Sequence, residues 1–160
     1  MIEEFKRQIT FYLEENETKI KLVWQDLSED DIWRRPNEST LAPANQLIHL
    51  TGNIRQWVLT SLAGQPAVRT RDAEFAIRGG RTKDEILDAF LEVTAFAKTQ
   101  LEDADNLLRP ITIQGHQTTE LGVWIHMAEH MSYHVGQLVF FAKELGYGGW
   151  DFYGGWELGA

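Results

Sequence analysis

The segment TELGVWIHMAEHMSYHVGQLVFFAKEL, residues 119–145, carries the clearest helical pattern of the chain and three of its five histidines. Apolar residues recur in it at intervals of three and four, and Gly146 follows directly, so the pattern predicts one long helix from about Thr119 to Leu145. The residues predicted to face inward are Leu121, Trp124, Ala128, Met131, Val135, Leu138, Ala142 and Leu145. The histidines form a second stripe beside that face, together with Gln137 and Phe141.

The histidine spacing indicates a metal site. His130 and His134 are four residues apart, which places both imidazoles on one side of a helix, where one divalent cation can bridge them. His126 and His130 have the same spacing, but successive steps drift by about 40°, so His126 and His134 diverge by about 80° and all three cannot bind one ion. Geometry alone leaves open which end is excluded. An isolated pair of this kind is more often a core or surface pair.

A third histidine, His49, lies on a separate predicted helix. Pro43 suits the first turn of that helix, which should run to about Ala63 with Gly64 and Pro66 ending it. His49 lies beside the core stripe, with Gln46, Asn53 and Trp57 as its helical neighbours. Candidate groups for orienting the imidazoles through their second nitrogens are Asn53, Glu129 and Gln137. His116, in an irregular segment, is expected to be exposed to solvent.

Two further helices complete an all-α prediction. A helix over the first 27 residues follows from three-to-four spacing of apolar positions, and Thr82 to Glu85 gives a capping box for a helix through Leu101. Ser28 with Asp31 resembles a second capping box, and Pro36 ends any helix there. Four long helices in 160 residues predict a single four-helix-bundle domain over residues 1–160.

The connecting segments are predicted less sharply. The loop of about 18 residues from Gly64 to Arg81 is unusually long, and loops of that length are often functional. Four of its charged residues are Arg69, Arg71, Asp72 and Glu74. They indicate either a solvated loop or a loop in which Arg71 or Glu74 turns toward the pocket. Residues 106–118 should be irregular, with one short strand at 111–113. The aromatic and glycine-rich tail, residues 146–156, should pack on the bundle or on a second subunit, where Trp150 and Trp156 would line a dimer surface.

Composition excludes several classes of function. The chain has no cysteine, so disulfides, iron–sulfur clusters and a catalytic thiol are excluded, and any metal is held by nitrogen and oxygen. A formal net charge of -9 repels nucleic acid and anionic lipid surfaces. The sequence shows no signal peptide and no apolar stretch long enough to span a bilayer, so a cytoplasmic location is expected.

Four motifs resemble the DinB/YfiT-like superfamily, in the same order and at similar intervals. They are WRRPNE at 33–38, HLTGNIRQW at 49–57, RTRDAEF at 69–75 and EHMSYHVGQ at 129–137. The resemblance implies an up-down-down-up bundle, often dimeric, with one divalent metal on a helix-two histidine and a helix-four pair. It places the ligands on His49, His130 and His134, and leaves His126 in a supporting or core position. Many members carry arginine directly after the last histidine, where this chain has Val135.

These observations favour a metal-dependent enzyme that uses Zn²⁺, Ni²⁺ or a similar ion to activate a low-molecular-weight thiol, or water, against a small-molecule substrate. Pocket residues around the ligands would be Asn53, Trp57, His126, Glu129, Tyr133 and Gln137. The alternative is a non-catalytic bundle that binds a metal or a small ligand as a sensor or stress-associated protein. A pocket sealed by Trp57, Tyr133 and the tail would favour sensing, and a pocket open beside the metal would favour catalysis.

Overall fold

The computed structural model describes residues 1–154, and this part of the chain is mostly helical. The helices are α1 (Ile2–Asp26), α2 (Glu29–Trp33), α3 (Pro43–Ile54), α4 (Arg71–Ala76), α5 (Lys83–Glu102) and α6 (Glu120–Glu144). A π-helical segment, Arg55–Thr60, continues α3, and a hairpin of β1 (Pro110–Ile113) and β2 (His116–Thr119) precedes α6. The all-α class is confirmed, whereas the up-down-down-up order stays a prediction. Within residues 1–154, the helices are too short or too polar to cross a membrane.

The core is formed by the four long helices. α1 packs against α6 and α3 packs against α5, and the largest fully buried side chains include Trp24, Trp124 and Phe90. On α6 the buried stripe differs slightly from the predicted one, since Val123 and Met127 are buried while Leu121 and Ala128 are only partly covered. The inward face is therefore rotated toward the histidine stripe, and His134 is itself buried.

Helix starts follow the predicted caps. Thr82 accepts a hydrogen bond from the backbone N–H of Glu85, and the Glu85 carboxylate accepts one from the backbone N–H of Thr82, which confirms the capping box of α5. Ser28 caps α2 by accepting from the backbone N–H of Asp31. The predicted turn after α1 is thus a short helix, because Ser28 satisfies one of its free N–H groups.

The helix predicted over residues 43–63 changes type in the middle. It is α-helical to Ile54 and π-helical over Arg55–Thr60, and the N–H of Ala63 donates to the carbonyl of Val58 at 3.1 Å, the five-residue spacing of a π-helix. Periodicity could not reveal this change, because a single wider turn barely disturbs a three-to-four apolar pattern. π-helical turns are frequent at functional sites.

Residues 106–118 form more regular structure than predicted. β1 and β2 are antiparallel, with Ile113 opposite His116, so two residues make the turn. Gln114 and Gly115 both have positive φ, 52° and 80°. A two-residue turn with positive φ at both positions has a backbone twist that matches the twist of the two strands. The prediction of a single strand was wrong because β2 is polar and lacks an alternating pattern.

The long loop contains α4, which is fastened to α3 by a buried amide. Asn45 is fully buried, and its side-chain amide donates to the carbonyls of Glu74 and Ile77 at 2.8 and 3.0 Å. Arg35 donates to the Asn45 Oδ1 at 2.6 Å and to the Phe75 carbonyl at 2.9 Å. These contacts give Arg35 of the Arg-Arg-Pro motif a structural role and hold the segment that carries Glu74.

The tail packs on the bundle as far as it is described, which confirms one of the two predicted placements. The Tyr147 hydroxyl donates to Asp31 Oδ2 and the Trp150 indole N–H donates to Asp26 Oδ2, both at 2.7 Å. The rings of Tyr147, Trp150 and Phe152 lie against the core. The predicted dimer contact of Trp156 falls outside the described residues.

Substitution of Tyr147 by phenylalanine tests this docking. The Tyr147 hydroxyl is the main cause of the lowered pKa of the Asp31 carboxyl, with Ser28 adding to it. The lowered pKa means that the docked tail favours the ionised form of Asp31. The hydrogen bond from Tyr147 therefore stabilises the folded protein above the ordinary Asp31 pKa of 3.8, and this stabilisation is lost as the pH falls. We expect Tyr147→Phe to raise the Asp31 pKa toward 3.8 in an NMR titration. Tyr12→Phe, on exposed α1 surface, should leave that pKa unchanged; an equal change in both variants would contradict the docking.

Candidate metal centre

Three imidazoles meet between α3 and α6. His49 Nε2 and His130 Nε2 are 3.2 Å apart, and one ring nitrogen from each of His49, His130 and His134 lies within 4.8 Å of the others. The ring of His134 is 5.3 Å from that of His49 and 4.7 Å from that of His130, centroid to centroid. His49 and His134 are each 6 % exposed, and His130 is half-buried. The structure therefore brings together the three residues that the sequence predicted.

The spacing suits nitrogen coordination of one ion. Zn²⁺ binds imidazole nitrogen at about 2.0–2.1 Å in tetrahedral geometry, which separates two ligand nitrogens by about 3.3 Å. The 3.2 Å between the Nε2 atoms of His49 and His130 is close to that separation. His134 completes a set of three nitrogen donors that come from two helices.

Burial keeps two of these imidazoles neutral. It lowers the pKa of His130 to about 3, with the neighbouring histidines and Arg69 adding to the effect. It lowers the pKa of His134 to about 4, with His49 adding to the effect and the Gln137 side chain opposing it. Neutral imidazole is the form that binds metal, so at neutral pH protons do not compete for these two rings.

A buried carboxylate orients His49. Glu74 Oε2 lies 2.9 Å from His49 Nδ1, and Glu74 is 8 % exposed. Arg69 binds the same carboxylate at both oxygens, with Nε 2.7 Å from Oε1 and Nη2 2.8 Å from Oε2. Glu74 thus turns inward, one of the two alternatives left open, while the exposed Arg71 lies over the Phe75 ring, with its Cζ 4.7 Å from the ring centroid.

The network fixes the tautomer of His49. Arg69 and His49 hold the pKa of Glu74 below its usual value despite burial, so the carboxylate is ionised and accepts a hydrogen from Nδ1. Nε2 of His49 is then left with its lone pair directed at the cluster. Arg69 Nη2 also comes within 3.1 Å of Nδ1, because both donors share Glu74 Oε2. A carboxylate behind a ligand histidine is the usual support of a metal-binding imidazole.

Gly52 makes room for this carboxylate. A Cβ atom at Gly52 would overlap Glu74 Oε1 and would lie 2.8 Å from Glu74 Cδ and 3.1 Å from Arg69 Nε. Neither Gly52 nor Arg69 was predicted as a site residue. The available signal was a glycine inside a helix, three residues after His49, since such a glycine costs about 1 kcal/mol relative to alanine and marks a close approach.

The other predicted pocket residues lie at different depths. His126 packs against Trp57, with ring centroids 3.9 Å apart, and is stacked on His130 at 5.1 Å. The ring of Tyr133 contacts that of His134 at 5.2 Å, although Tyr133 is 57 % exposed. Asn53 is buried, Gln137 is partly buried, and Glu129 and His116 are exposed. The structure therefore keeps His126 outside the cluster and does not bring Glu129 to it.

The comparisons with known proteins agree with this architecture. Residues 2–153 match the family described as "Protein of unknown function (DUF1572)". The chain belongs to this DUF1572 family. A solved structure of a DinB-like protein, YjoA from Bacillus subtilis, is similar with a TM-score of 0.70 and 18 % identity, covering 91 % of this chain and 96 % of that one. This similarity confirms the DinB-like fold that the motif resemblance implied. None of the curated proteins compared with the chain matches it.

Buried polar atoms in this DUF1572 chain fit a bound cation. Nδ1 of His134, Nε2 of His126 and Oδ1 of Asn53 are buried without a hydrogen-bond partner. Buried polar groups are nearly always paired, so unpaired buried atoms in and beside the histidine cluster are typical of a site that receives an ion or water. The described residues thus provide the donors, the orientation and the protonation state that a divalent metal needs.

Proposed function

We propose that the chain is a divalent-metal-dependent enzyme that activates a low-molecular-weight thiol, or water, for attack on a small electrophile. His49, His130 and His134 would hold the metal, Zn²⁺, Ni²⁺ or a similar ion, through ring nitrogens. The convergence of these three imidazoles from two helices carries the proposal. When bound, such a metal lowers the pKa of a ligand water or thiol toward neutrality.

The chain's own residues support this chemistry in defined ways. Glu74 holds the proton on His49 Nδ1, which keeps Nε2 free to bind, and Arg69 holds Glu74. Three protein ligands leave a fourth tetrahedral position for a guest, which distinguishes catalytic from closed structural sites. The half-buried His130 and the exposed Tyr133 lie on the side from which a guest would enter.

The thiol has to come from outside, because the chain has no cysteine. In the proposed transfer the thiolate sulfur forms a bond to the electrophilic carbon, and the leaving group departs with its bonding electrons. The thiol proton passes to solvent. With water as the nucleophile, the same balance gives hydrolysis.

Turnover with defined probes tests this function. For thiol transfer, protein loaded with Zn²⁺ or Ni²⁺ is mixed with cysteine, glutathione or coenzyme A and with a chromogenic haloarene, and halide release is followed. For hydrolysis, the same protein is mixed with a nitrophenyl ester. We expect turnover with at least one pair, falling to the uncatalysed rate in His134→Ala and unchanged in His116→Ala. Equal rates in wild type and His134→Ala would overturn the proposal.

The second candidate is a non-catalytic metal- or ligand-binding protein of the sensor type. The deep burial of His49 and His134 favours it, because burial limits access to the ion. Stoichiometric metal without turnover for any pair of probes would support it. A homodimer and a cytoplasmic location remain predictions, and analytical ultracentrifugation tests the first.

A further inference from the structure

A second concave site lies beside the Glu74–Arg69 pair. A cavity of about 320 Å³ opens between α3, its π-helical continuation and the loop from Gln65 to Arg81. Glu74 and Arg69 form part of its wall, whereas the three clustered histidines do not line it. Its volume is at the lower end of small-molecule sites, so a ligand here would be small.

The cavity is positively charged although the whole chain is strongly acidic. Three arginines line it, Arg55, Arg69 and Arg81, against a single carboxylate, that of Glu74. Glu74 is already held by Arg69 and His49. Within residues 1–154, the guanidinium groups of Arg55 and Arg81 make no ion pair, so both are available to an anion.

The π-helical segment builds one wall of this cavity. Arg55, Gln56, Leu59 and Thr60 all belong to it and all line the cavity. In an α-helix, residues five apart point about 140° from each other, whereas five-residue hydrogen bonding places Arg55 and Thr60 near one face. The change of helix type therefore adds the Thr60 hydroxyl to the side that carries Arg55.

Part of the cavity lining is apolar. Ile48, Leu59, Val68 and Ile77 line it, and Val68 is 77 % exposed. An exposed valine at the mouth of a charged cavity gains by contact with an apolar ligand body. Charge and apolar lining together indicate a ligand with one anionic group and a small apolar part.

We propose that this cavity binds a small organic anion, a carboxylate or phosphate carried on an apolar body. Arg55 and Arg81 hold the anionic group, with the Thr60 hydroxyl beside them, and Val68, Leu59 and Ile77 contact the body. Guanidinium groups suit both carboxylate and phosphate, because their N–H groups can bind two oxygens at once. The inference does not depend on the proposed metal chemistry.

Calorimetry with phenyl phosphate and with benzoate tests the site, with phenol as the neutral probe. We expect both anions to bind and phenol not to bind, and Arg55→Gln or Arg81→Gln to weaken binding by about tenfold or more, as loss of a charged hydrogen bond does. Both side chains are at the surface or half-buried, so the variants should fold as wild type. Arg7→Gln, the same charge change on distant α1, should bind like wild type.

The histidine cluster must be separated from this site, because a bound metal also attracts anions. In His130→Ala treated with chelator, binding of phenyl phosphate should persist. Adding Arg55→Gln to His130→Ala should still weaken that binding. Binding that disappears in His130→Ala but survives Arg55→Gln would place the anion at the histidines and overturn the proposal. Equal affinity of wild type, Arg55→Gln, Arg81→Gln and Arg7→Gln would also overturn it.

Discussion

Replacement of His130 by alanine should abolish stoichiometric binding of Zn²⁺ or Ni²⁺. It removes one of three donors, and the Nε2 atom lost is the one that lies 3.2 Å from His49 Nε2. The loss should exceed the roughly 10–100-fold that removal of a supporting hydrogen bond costs. Metal analysis of protein purified without chelator, and titration of the metal-free form, would measure it. His49→Ala and His134→Ala should behave in the same way.

Thermal unfolding gives an independent measure of the same change. A ligand at about 100 times its Kd stabilises the native state by about 2.7 kcal/mol, which for a domain of this size raises the Tm by roughly 5–10 °C. Wild type should show this rise on addition of metal and His130→Ala should not.

His126→Ala is the matched control, because His126 is one helical turn before His130 on the same stripe. Its ring lies against Trp57 and outside the three-histidine cluster, so the variant should keep its metal. His116→Ala, on the exposed hairpin, should also keep it. Equal metal loss in His126→Ala and His130→Ala would mean that the ligand set is wrong.

The elements that the sequence predicted well are those whose signals are local. α1, α5 and α6 end within one or two residues of the predicted bounds, because apolar periodicity and capping residues act within a few turns. The spacing of His130 and His134 is local in the same sense. The hairpin carried one local signal that was missed, the Gln114–Gly115 turn.

The parts that were missed depend on contacts distant in sequence. Glu74 reaches His49 only because Asn45 and Arg35 fasten α4 to α3, and no pattern within residues 64–81 reports those bonds. Arg69 was assigned to a solvated loop for the same reason, although its side chain is 8 % exposed. The three histidines that could hold a metal were predicted from spacing and family resemblance. Of the groups beside them, Glu74 was anticipated only as one of two alternatives, and Arg69 and Gly52 were not anticipated.

Substitution of Gly52 by alanine tests whether the contact of Glu74 with His49 matters. Packing and helix propensity predict changes of opposite sign in the free energy of unfolding. Alanine is the better helix former by roughly 0.5–1 kcal/mol, so at a helix position with free space it should stabilise the protein. At Gly52 the new methyl group would overlap the Glu74 carboxylate, which is held in place by Arg69 and His49. We expect Gly52→Ala to lower the free energy of unfolding by about 1–3 kcal/mol, as overpacking of a buried site does.

Gly136→Ala provides the matched control on α6. Its Cβ would meet nothing within 4 Å, so helix propensity alone should act and raise stability by about 0.5–1 kcal/mol. Gly52→Ala should also weaken metal binding by roughly 10–100-fold, because displacement of Glu74 leaves His49 without its orienting acceptor. Glu74→Gln, which keeps the volume but removes the charge, should weaken metal binding in the same direction. If Gly52→Ala proved as stabilising as Gly136→Ala and bound metal like wild type, Glu74 would not be the group that holds His49 in place.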